Sequence, residues 1–398
     1  MRALGLKPGE AADHATLQNM QHLQEAFTFF FGKGSAAERY YEDEAGFNSV
    51  VTAASSLQNA QWYIGGNAAL MAQKISSTFP ETEVMLVGPV GPKLLSLLHT
   101  SVKVPEKALI DEDEVHLIME YQKNEIWGGR SAPVANRFIT SHDESNSHLL
   151  MQHVSAFFDT LASWDPDLIV LAGLHLLDGH EESLWQKKLQ GLREHLKTLP
   201  TSTPIHLEVA SMADRNFTAQ VVTQLFPFVD SIGCNEQELA FLSHAAGGPH
   251  ASMYVEGVAV QPDLDKVVDI MHWLLTSLGD RLSRVHYHSL TYHVIGVRTD
   301  RWNNTRQAIA AGARVAGQQA CMQLELTPDI VELRMPRDVR FGDDASLTYD
   351  PTQPAVGWQR GDVSYYFSPV LICKEPLRTV GLGDAISSTA LIYSEFVR

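Results

Sequence analysis

The chain has 398 residues, a formal net charge of −17, 44% hydrophobic residues and 19% charged residues. This length and composition fit one large globular domain or two average ones and exclude a largely disordered chain. The excess of acidic residues argues against the basic surface by which proteins usually bind nucleic acids. The longest apolar stretch, 168–177, is about half of the roughly 20 residues that a membrane helix needs, so we expect no membrane segment.

Apolar runs with strand character recur along the chain and alternate with helix-length amphipathic segments. Helices are predicted over 67–75, after the Gly65-Gly66 turn, and over 308–322, where Gly312 and Gly317 lower the helix propensity and so indicate tight packing. This alternation predicts an α/β fold with a doubly wound, mostly parallel and largely buried sheet. The predicted strands are 84–87, 168–171, 205–209, 228–232, 284–288 and 293–297.

Two segments depart from this alternation. Residues 114–121 and 136–140 have strand character with no crossover helix between them, which predicts an antiparallel pair outside the main sheet. Small strands that leave a doubly wound sheet near its carboxyl edge are typical of a lid over a ligand site. Residues 342–354 are rich in turn formers, and we expect a surface loop there.

The sequence Gly381-Leu382-Gly383-Asp384 is the strongest candidate for a catalytic motif. A glycine-rich turn that opens a helix from about Ala385 would present the free backbone N–H groups of 381–384 to an anion such as phosphate. Asp384 could then take a proton from an attacking hydroxyl group. The alternative is a simple turn with Asp384 as the helix N-cap. A short strand predicted over 370–373 and a break over 374–376 favour phosphate binding.

Two further pairs of polar residues are candidates for the same site. On a strand, His206 and Glu208 point to one face, where the carboxylate suits Mg²⁺ directly or through waters. A His–Glu pair satisfied by a neighbouring helix is the alternative. Asn235 and Glu238 have the spacing of a capping box. Glu238 would nevertheless stand at the mouth of a βα loop, where it could hold a hydrated Mg²⁺ beside Glu208.

Other candidates depend more on their surroundings. Arg137, on the predicted lid, could bind a phosphate bidentately or could be an exposed strand arginine. His286, His288 and His293 suggest a metal site, but no cysteine or carboxylate stands at ligand spacing, and a strand edge beside a nucleotide base is an equally good place for them. No GxGxxG follows a strand, which argues against a dinucleotide dehydrogenase.

The three cysteines, Cys234, Cys321 and Cys373, are too few and too scattered for a disulfide framework. No CxxC pair indicates zinc. One disulfide among them remains open, and the sequence does not select the pair.

Many short blocks of the chain, taken in order, resemble one family: the ADP-dependent glucokinases, and specifically their animal branch. They cover nearly the whole chain, and so many ordered blocks are more specific than any single motif. The matching blocks are YIGGNAAL (63–70), LVGPVGPK (86–93), HLIMEYQ (116–122), APVANRFITSHD (132–143), AGLHLLDG (172–179), HLEVASM (206–212), GCNEQEL (233–239), HYHSLTYH (286–293), AAGARVAGQQAC (310–321) and TVGLGDAIS (379–387).

The resemblance implies a ribokinase-like fold and one kinase domain over 1–398. Its large α/β part would span about 60–104 and 146–398, and its small strand lid about 105–145 with part of 1–59. The implied activity, a step of glycolysis, is transfer of the β-phosphate of ADP to the 6-hydroxyl of D-glucose with Mg²⁺, leaving AMP. Glucose and ADP would be the only implied partners, and the chain would be a monomer.

The resemblance also implies roles for individual residues. Asp384 would be the general base. The other implied site residues are, by role, Arg137, Gly381 and Gly383 at the phosphates; Glu208, Glu238 and Asp384 at Mg²⁺; Gly66 and Asn67 at the sugar; and His288, Val370, Val380, Leu382 and Asn235 at the nucleotide.

One feature of the family is expected to be absent. Family members carry, before the region where this chain begins, a first strand with an Asn and a sugar-binding Asp. Residues 47–50 are only superficially similar to it, because their neighbours match a later part of the family. The same upstream segment would carry a signal for the endoplasmic reticulum or secretion. The first twenty residues lack a signal peptide's apolar core, which would leave this chain cytoplasmic as it stands.

Two other functions remain open from the sequence. One is an ATP-dependent sugar kinase of the same ribokinase-like fold. The other is a nucleotide-binding isoform whose catalysis is impaired because it lacks the sugar-binding first strand.

Overall fold

The computed structural model describes residues 4–35, 37–254, 263–334, 353, 355–377 and 381–397. Among these residues, no helix combines the length and the apolarity that a membrane crossing requires. The α-helices are α1 (Met20–Lys33), α2 (Glu44–Ser55), α3 (Asn67–Thr78), α4 (Pro92–Leu97), α5 (Met151–Trp164), α6 (Glu182–Thr198), α7 (Arg215–Gln224), α8 (Glu236–Ala246), α9 (Leu264–Ser277), α10 (Thr305–Cys321) and α11 (Leu382–Tyr393).

Strands alternate with these helices over much of the chain. The strands are β1 (Thr16–Leu17), β2 (Ala37–Tyr41), β3 (Val84–Met85), β4 (Val102–Lys103), β5 (His116–Tyr121), β6 (Ile126–Trp127), β7 (Arg130–Ser131), β8 (Asn136–Ser141), β9 (Ile169–Leu171), β10 (Ile205–Glu208), β11 (Ser231–Cys234), β12 (Arg284–His288), β13 (Tyr292–Arg298), β14 (Trp302–Asn303), β15 (Val331–Arg334), β16 (Val356–Arg360), β17 (Val363–Cys373) and β18 (Glu395–Phe396).

The chain divides into two compact units. The smaller unit contains Met1–Gly65, Gly88–Leu97 and Ala108–Leu150, and the larger contains Gly66–Val87, Leu98–Lys107 and Met151–Arg398. These boundaries differ from the predicted ones, which placed all of 60–104 in the large part. Residues 88–97 belong to the smaller unit because the side chain of Asp113 accepts hydrogen bonds from the backbone N–H groups of Lys93 and Leu94 at the start of α4.

The smaller unit is built around a four-stranded sheet in the order β1-β2-β8-β5. β5 and β8 pair antiparallel, as the sequence predicts for 114–121 and 136–140. Helix α1 begins after Asn19, whose side chain accepts a hydrogen bond from the N–H of His22, and its apolar face supplies Phe27 and Phe31 to the core. There, the ring of Phe27 meets Phe138 of β8 edge-on. The sheet and α1 thus share one hydrophobic core.

An ion-pair cluster around the buried Asp143 in the smaller unit predicts how its stability depends on pH. His116 lies 3.1 Å from a carboxylate oxygen of Glu38 and 3.5 Å from one of Asp143. Burial alone would lower the pKa of His116, but hydrogen bonds with the two carboxylates raise it to about 9. Burial would raise the pKa of Asp143, but hydrogen bonds, led by that with His116, lower it to about 2.

We therefore expect His116→Gln to lower the melting temperature most between about pH 4 and pH 6.5. The raised pKa of His116 makes its contribution complete below its ordinary value of 6.5 and lost as the pH rises through about 9. The lowered pKa of Asp143 makes its contribution complete above its ordinary value of 3.8 and lost as the pH falls through about 2. Thermal denaturation from pH 3 to about pH 10 measures the difference, with exposed His99→Gln as the control. A difference that stays constant with pH would contradict the prediction.

The larger unit contains an eight-stranded sheet with a parallel and an antiparallel part. Its order is β15-β17-β13-β12-β11-β10-β9, and β16 pairs with β17. The pairings from β9 to β12 are parallel, whereas those among β12, β13, β15, β16 and β17 are antiparallel. The α/β class is as predicted, but among the described residues three pairings of this sheet are parallel and four are antiparallel, whereas a mostly parallel sheet is expected from the sequence. The expected strand at 84–87 is the two-residue β3, which pairs with β4 and not, among the described residues, with this sheet.

Helix α10 packs closely against α11 and β17. A side chain at Gly312 would place its Cβ 3.3 Å from the carbonyl oxygen of Ile386, and one at Gly317 would place it 3.0 Å from that of Leu371. The tight packing predicted from these two glycines is therefore confirmed. It brings α11 close to the sheet. The loop predicted over 342–354 lies outside the described residues, apart from Gln353.

Candidate active site

Polar side chains lie side by side on three neighbouring strands of the larger unit. His206 of β10 is in register with Ser231 of β11, which is in register with Arg284 of β12. Two residues further along, Glu208 is in register with Gly233. Because side chains two apart on a strand point the same way, both sets lie on one face of the sheet.

The buried carboxylate of Glu208 is held from several sides. Nε2 of His206 lies 2.9 Å from its Oε2, and Oγ of Ser387 on α11 donates to its Oε1 at 3.2 Å. Nε2 of His288 lies 3.6 Å from Oε1. Burial alone would raise the pKa of Glu208, but the hydrogen bonds of the two histidines outweigh it and lower the pKa to about 2. Glu208 is therefore ionised at neutral pH.

Gly233 leaves the space that the Glu208 side chain fills. A Cβ at this position would overlap with Oε2 of Glu208 and would lie 2.9 Å from Oγ of Ser387. The backbone of β11 can therefore carry a carboxylate directly over it only because residue 233 has no side chain.

Asn235 and Glu238 form the predicted capping box at the start of α8. Oδ1 of Asn235 accepts from the N–H of Gln237 and of Glu238, while the Glu238 carboxyl accepts from the backbone and the amide of Asn235 at 2.9 and 2.8 Å. Burial raises the pKa of Glu238 to about 8, and the negative charge of Glu208 contributes to the increase. Glu238 thus caps α8, and it lies close enough to Glu208 for that negative charge to raise its pKa.

The Gly381-Leu382-Gly383-Asp384 segment forms the first turn of α11. The helix begins at Leu382, earlier than the predicted Ala385, because Gly381 is the N-cap in a left-handed conformation with φ 71°. Glycine adopts this conformation without strain. The alternative with Asp384 as N-cap is therefore wrong. Asp384 lies inside the first turn, where the leading N–H groups have no partner within the helix.

Asp384 is a buried carboxyl group that accepts a hydrogen bond from a side-chain amide. It is 8% exposed, and Nδ2 of Asn67, the first residue of α3, donates to its Oδ1 at 2.9 Å. Burial raises the pKa of Asp384 to about 6, and the nearby charge of Glu208 adds to the rise. The hydrogen bond from Asn67 acts in the opposite direction. Such a carboxylate is ionised at neutral pH and still basic enough to accept a proton.

The carboxyl groups fit a hydrated cation better than a directly bound one. Among the described residues, no group of three His, Cys, Asp or Glu side chains could hold a metal ion. The oxygens of Glu208 and Glu238 already accept hydrogen bonds. After burial, the charge of Glu208 contributes to the raised pKa of both Asp384 and Glu238, and the charge of His288 offsets part of this repulsion. A divalent cation held through waters would relieve this repulsion.

His286, His288 and His293 form a buried triangle beside this site, with ring centroids 5.8 to 6.4 Å apart. Both ring nitrogens of His286 and of His293 have no hydrogen-bond partner among the described residues. Burial lowers the pKa of His286 far below its usual range and that of His293 to about 3, so both rings are neutral. A Cβ at Gly383 would lie 3.0 Å from the ring of His288. The start of α11 thus packs on His288.

The remaining predicted residues are spread over both units. Gly66 is the N-cap of α3, with φ 78°. Val370 is buried near the end of β17, so the predicted short strand 370–373 is the last part of an 11-residue strand. Leu382 packs on the cluster around Cys321 and Cys373. Arg137 is partly buried on β8 of the smaller unit. Val380 lies outside the described residues.

One disulfide joins Cys321 at the end of α10 to Cys373 at the end of β17, and Cys234 is buried and free. Leu326, Ile330, Leu371 and Leu382 pack around the bonded pair. Since Leu382 opens α11, the disulfide stabilises the region from which the candidate catalytic helix starts.

Four residues of the site escaped the sequence analysis: Ser231, Arg284, Gly233 and Ser387. Ser231 meets His206, and Arg284 meets Ser231, only through strand pairing. Gly233 stands in the block GCNEQEL, which the resemblance includes, but nothing in the sequence reveals which side chain crosses over it. A polar serine and an arginine within buried strands were the only signals available.

The mixed α/β sheet, the buried Glu208 on β10 and the glycine-capped helix that carries Asp384 fit the ribokinase-like fold that the sequence resemblance implies. Residues 1–393 match the model of the ADP-specific phosphofructokinase/glucokinase conserved region. The chain therefore belongs to the ADP-specific phosphofructokinase/glucokinase family.

Similar proteins include curated enzymes and solved structures. An ADP-dependent glucokinase of Bos taurus is 44% identical over 99% of this chain and 80% of its own length. A probable ADP-dependent glucokinase of Caenorhabditis elegans is 41% identical over 100% and 82%. A hypothetical ADP-dependent phosphofructokinase from Pyrococcus horikoshii OT3 has the same fold, with a TM-score of 0.71 at 16% identity, covering 98% of this chain and 89% of that one.

Proposed function

We propose that this protein is an ADP-dependent glucokinase that transfers the β-phosphate of ADP to the 6-hydroxyl of D-glucose, giving glucose 6-phosphate and AMP. The relatives named ADP-dependent glucokinases support the choice of donor and acceptor. The observation that carries the proposal is Asp384, a buried carboxylate in the first turn of a glycine-capped helix with a pKa raised to about 6. This combination places a base beside an anion-binding helix terminus.

In the proposed reaction, Asp384 accepts the proton of the sugar hydroxyl as that oxygen attacks phosphorus. Asn67 holds Oδ1 by its hydrogen bond, while Oδ2 lies on the side of Gly381, 3.8 Å from where a Cβ there would stand. Oδ2 is thus the oxygen proposed to take the proton. Oδ1 thus orients the carboxylate through Asn67, and Oδ2 accepts the proton.

The transferred phosphoryl group is proposed to bind at the N-terminus of α11. The backbone N–H groups of 381–384 and the positive end of the helix dipole both favour an anion there. These groups are fixed before the reaction and need no reorganisation as charge develops, which is how such sites lower the barrier to phosphoryl transfer.

Mg²⁺, when bound, would neutralise charge on the phosphate oxygens. Glu208, Glu238 and Asp384 are the residues proposed to hold it, through waters. Their shared repulsion and their existing hydrogen bonds support this mode of binding.

The other substrate contacts are proposed from the sequence resemblance. Gly66 and Asn67 would contact the sugar, and the hydrogen bond from Asn67 to Asp384 agrees with a place near the reacting hydroxyl. The proposed phosphate contact of Arg137 has no other support. The proposed nucleotide-binding residues are His288, Val370, Val380, Leu382 and Asn235, although the side chain of Asn235 is already engaged in capping α8.

A donor comparison tests the proposed function. The purified chain is incubated with glucose and Mg²⁺ plus either ADP or ATP, and glucose 6-phosphate and AMP are measured. Product from ADP with equimolar AMP supports the proposal. Turnover with ATP alone would identify an ATP-dependent kinase, and calorimetric binding of ADP without product would identify a nucleotide-binding protein.

The raised pKa of Asp384 predicts the acid side of the pH profile. We expect kcat to fall as the pH decreases through about 6, because the protonated carboxyl cannot accept a proton. Asn67→Ala should move this fall to higher pH, since the lost hydrogen bond favours the ionised form. Steady-state rates at saturating substrate from pH 5 to about pH 9 measure both, with the exposed Asn216→Ala as control. An unshifted profile in Asn67→Ala would contradict the assignment.

We further propose that the protein works in an oxidising compartment, such as the endoplasmic reticulum, because disulfides persist there and are rare in the cytosol. The Cys321–Cys373 disulfide spans 52 residues of sequence, for which the loop-entropy model gives a stabilisation of about 4 kcal/mol. We expect reduction to lower the melting temperature by several degrees. Mass spectrometry after thiol labelling under denaturing conditions should find one free thiol before reduction. Three free thiols in the native protein would contradict the prediction.

A further inference from the structure

A chain of hydrogen bonds crosses three strands and ends at Glu208. Nη1 of Arg284 donates to Oγ of Ser231 at 2.9 Å, and this oxygen lies 2.9 Å from Nδ1 of His206. Nε2 of His206 lies 2.9 Å from Oε2 of Glu208. All four residues are buried, and Arg284, Ser231 and His206 have no exposed surface. The pairing of β10, β11 and β12 sets this arrangement, which we call the relay.

The end groups of the relay determine where each proton lies. A guanidinium group only donates hydrogen bonds, and a carboxylate only accepts them. Nε2 of His206 therefore carries the hydrogen that faces Glu208. A second positive charge on this imidazole, buried close to Arg284, would be costly. Nδ1 therefore carries no hydrogen and accepts from the hydroxyl of Ser231, which in turn accepts from Arg284.

The opposite tautomer would break the relay at Glu208. With its hydrogen on Nδ1, the His206 ring would turn a bare Nε2 lone pair toward the Oε2 of a carboxylate. Ser231 favours the Nε2–H tautomer because its hydroxyl hydrogen is donated to a bare Nδ1. Its oxygen has two acceptor lone pairs, and the donation from Arg284 fills one of them.

Burying the charged side chain of Arg284 at this position lowers the stability of the fold. Its Nε and Nη2 have no hydrogen-bond partner among the described residues, and its guanidinium carbon lies 5.7 Å from the ring of Trp302. A buried cation without a full set of hydrogen bonds lowers the stability of the fold. Its presence therefore indicates a role other than stability. Its one side-chain hydrogen bond leads through Ser231 and His206 to the buried charge of Glu208.

We propose that Ser231 and Arg284 are positioning residues, which hold His206 in the Nε2–H tautomer and so orient the carboxylate of Glu208. The proposal rests on the proposed function for the role of Glu208 in holding hydrated Mg²⁺, whereas the relay itself is a property of the folded chain. Partners that orient the ligands of a metal typically contribute 10- to 100-fold to activity or metal affinity, so effects of about that size are expected.

Nuclear magnetic resonance of ring nitrogens tests the relay without turnover. The wild-type chain is labelled with ¹⁵N-histidine, and His206→Asn identifies the His206 signals among those of the 17 histidines. We expect a hydrogen on Nε2 and an unprotonated, hydrogen-bonded Nδ1. A hydrogen on Nδ1 would overturn the proposal. Because no substrate is present, a failure of glucose phosphorylation cannot be mistaken for a failure of the relay.

Kinetics test the consequence for Glu208. Ser231→Ala should lower kcat by about 10- to 100-fold and raise the Mg²⁺ concentration for half-maximal activity, with an unchanged KM for glucose. Ser231→Thr, which keeps the hydroxyl, should restore most of the rate, and Arg284→Met should act like Ser231→Ala. Arg281→Met, which removes an ion pair with Asp230 just before β11, is the matched control and should reduce stability but not kcat. Wild-type kcat and Mg²⁺ dependence in folded Ser231→Ala would refute the proposal.

Discussion

Asp384→Asn is expected to lower kcat by about 10²- to 10⁴-fold while leaving ADP binding largely intact. Asparagine keeps the oxygen that accepts from Asn67 but cannot take a proton from the sugar hydroxyl. The raised pKa of Asp384 predicts a second effect. Because folding raises this pKa to about 6, the ionised group destabilises the fold at higher pH. The asparagine variant should therefore have a higher melting temperature than the wild type at pH 8.

The assay for glucose 6-phosphate, calorimetry with ADP and thermal denaturation measure these three quantities. Asp159→Asn is the matched control, because Asp159 is an exposed aspartate of the same unit, and its ion pair with the exposed Lys107 lies at the surface. It should change neither kcat nor the affinity for ADP. An Asp384→Asn enzyme with the wild-type rate would exclude Asp384 as the general base.

Local patterns were sufficient to predict the elements that carry the site. The period of two along 205–209 placed His206 and Glu208 on one face, and the spacing of Asn235 and Glu238 predicted the capping box. Both depend on residues close in sequence, where backbone geometry alone fixes which side chains meet. Strands were likewise predicted over 284–288 and 293–297, where β12 and β13 lie.

Features that depend on conformation or on distant partners were not predictable in this way. The start of α11 was placed too late because the left-handed conformation of Gly381, which opens the helix at Leu382, is one of several that glycine adopts. The strand at Val84 was expected to be longer and in the main sheet, because an apolar run does not reveal its partner. The extent of β17 was likewise underestimated, since its pairing with β13 and β16 is tertiary.

Contacts across strands explain why Ser231, Arg284 and Gly233 escaped the sequence analysis. Ser231 meets His206, Arg284 meets Ser231 and Gly233 faces Glu208 only after the register of β10, β11 and β12 is set. Register depends on the whole buried face of a sheet rather than on any one residue. The site therefore contains two kinds of residue. The chemistry of some can be inferred from the sequence, and the role of the others depends on the side chains that strand pairing places next to them.

Gly233→Ala is expected to lower kcat by at least about tenfold, although alanine is the smallest possible change. The added Cβ would overlap with Oε2 of Glu208 and press on Oγ of Ser387, so the carboxylate must move. Both the β11 backbone and α11 limit that movement. Overpacking of this kind also typically destabilises a protein by about 1–3 kcal/mol. Activity per folded molecule and the free energy of unfolding in urea measure the two effects separately.

Gly191→Ala in helix α6 of the same unit is the matched control. A Cβ there would meet nothing within 4 Å, so alanine should leave kcat unchanged and slightly increase stability through its higher helix propensity. If both variants kept the wild-type kcat, the position of the Glu208 carboxylate would not matter for catalysis. A loss of stability without a loss of kcat in Gly233→Ala would show that this glycine serves packing alone. A selective loss of kcat would show that the backbone of β11 is shaped around the carboxylate that the reaction needs.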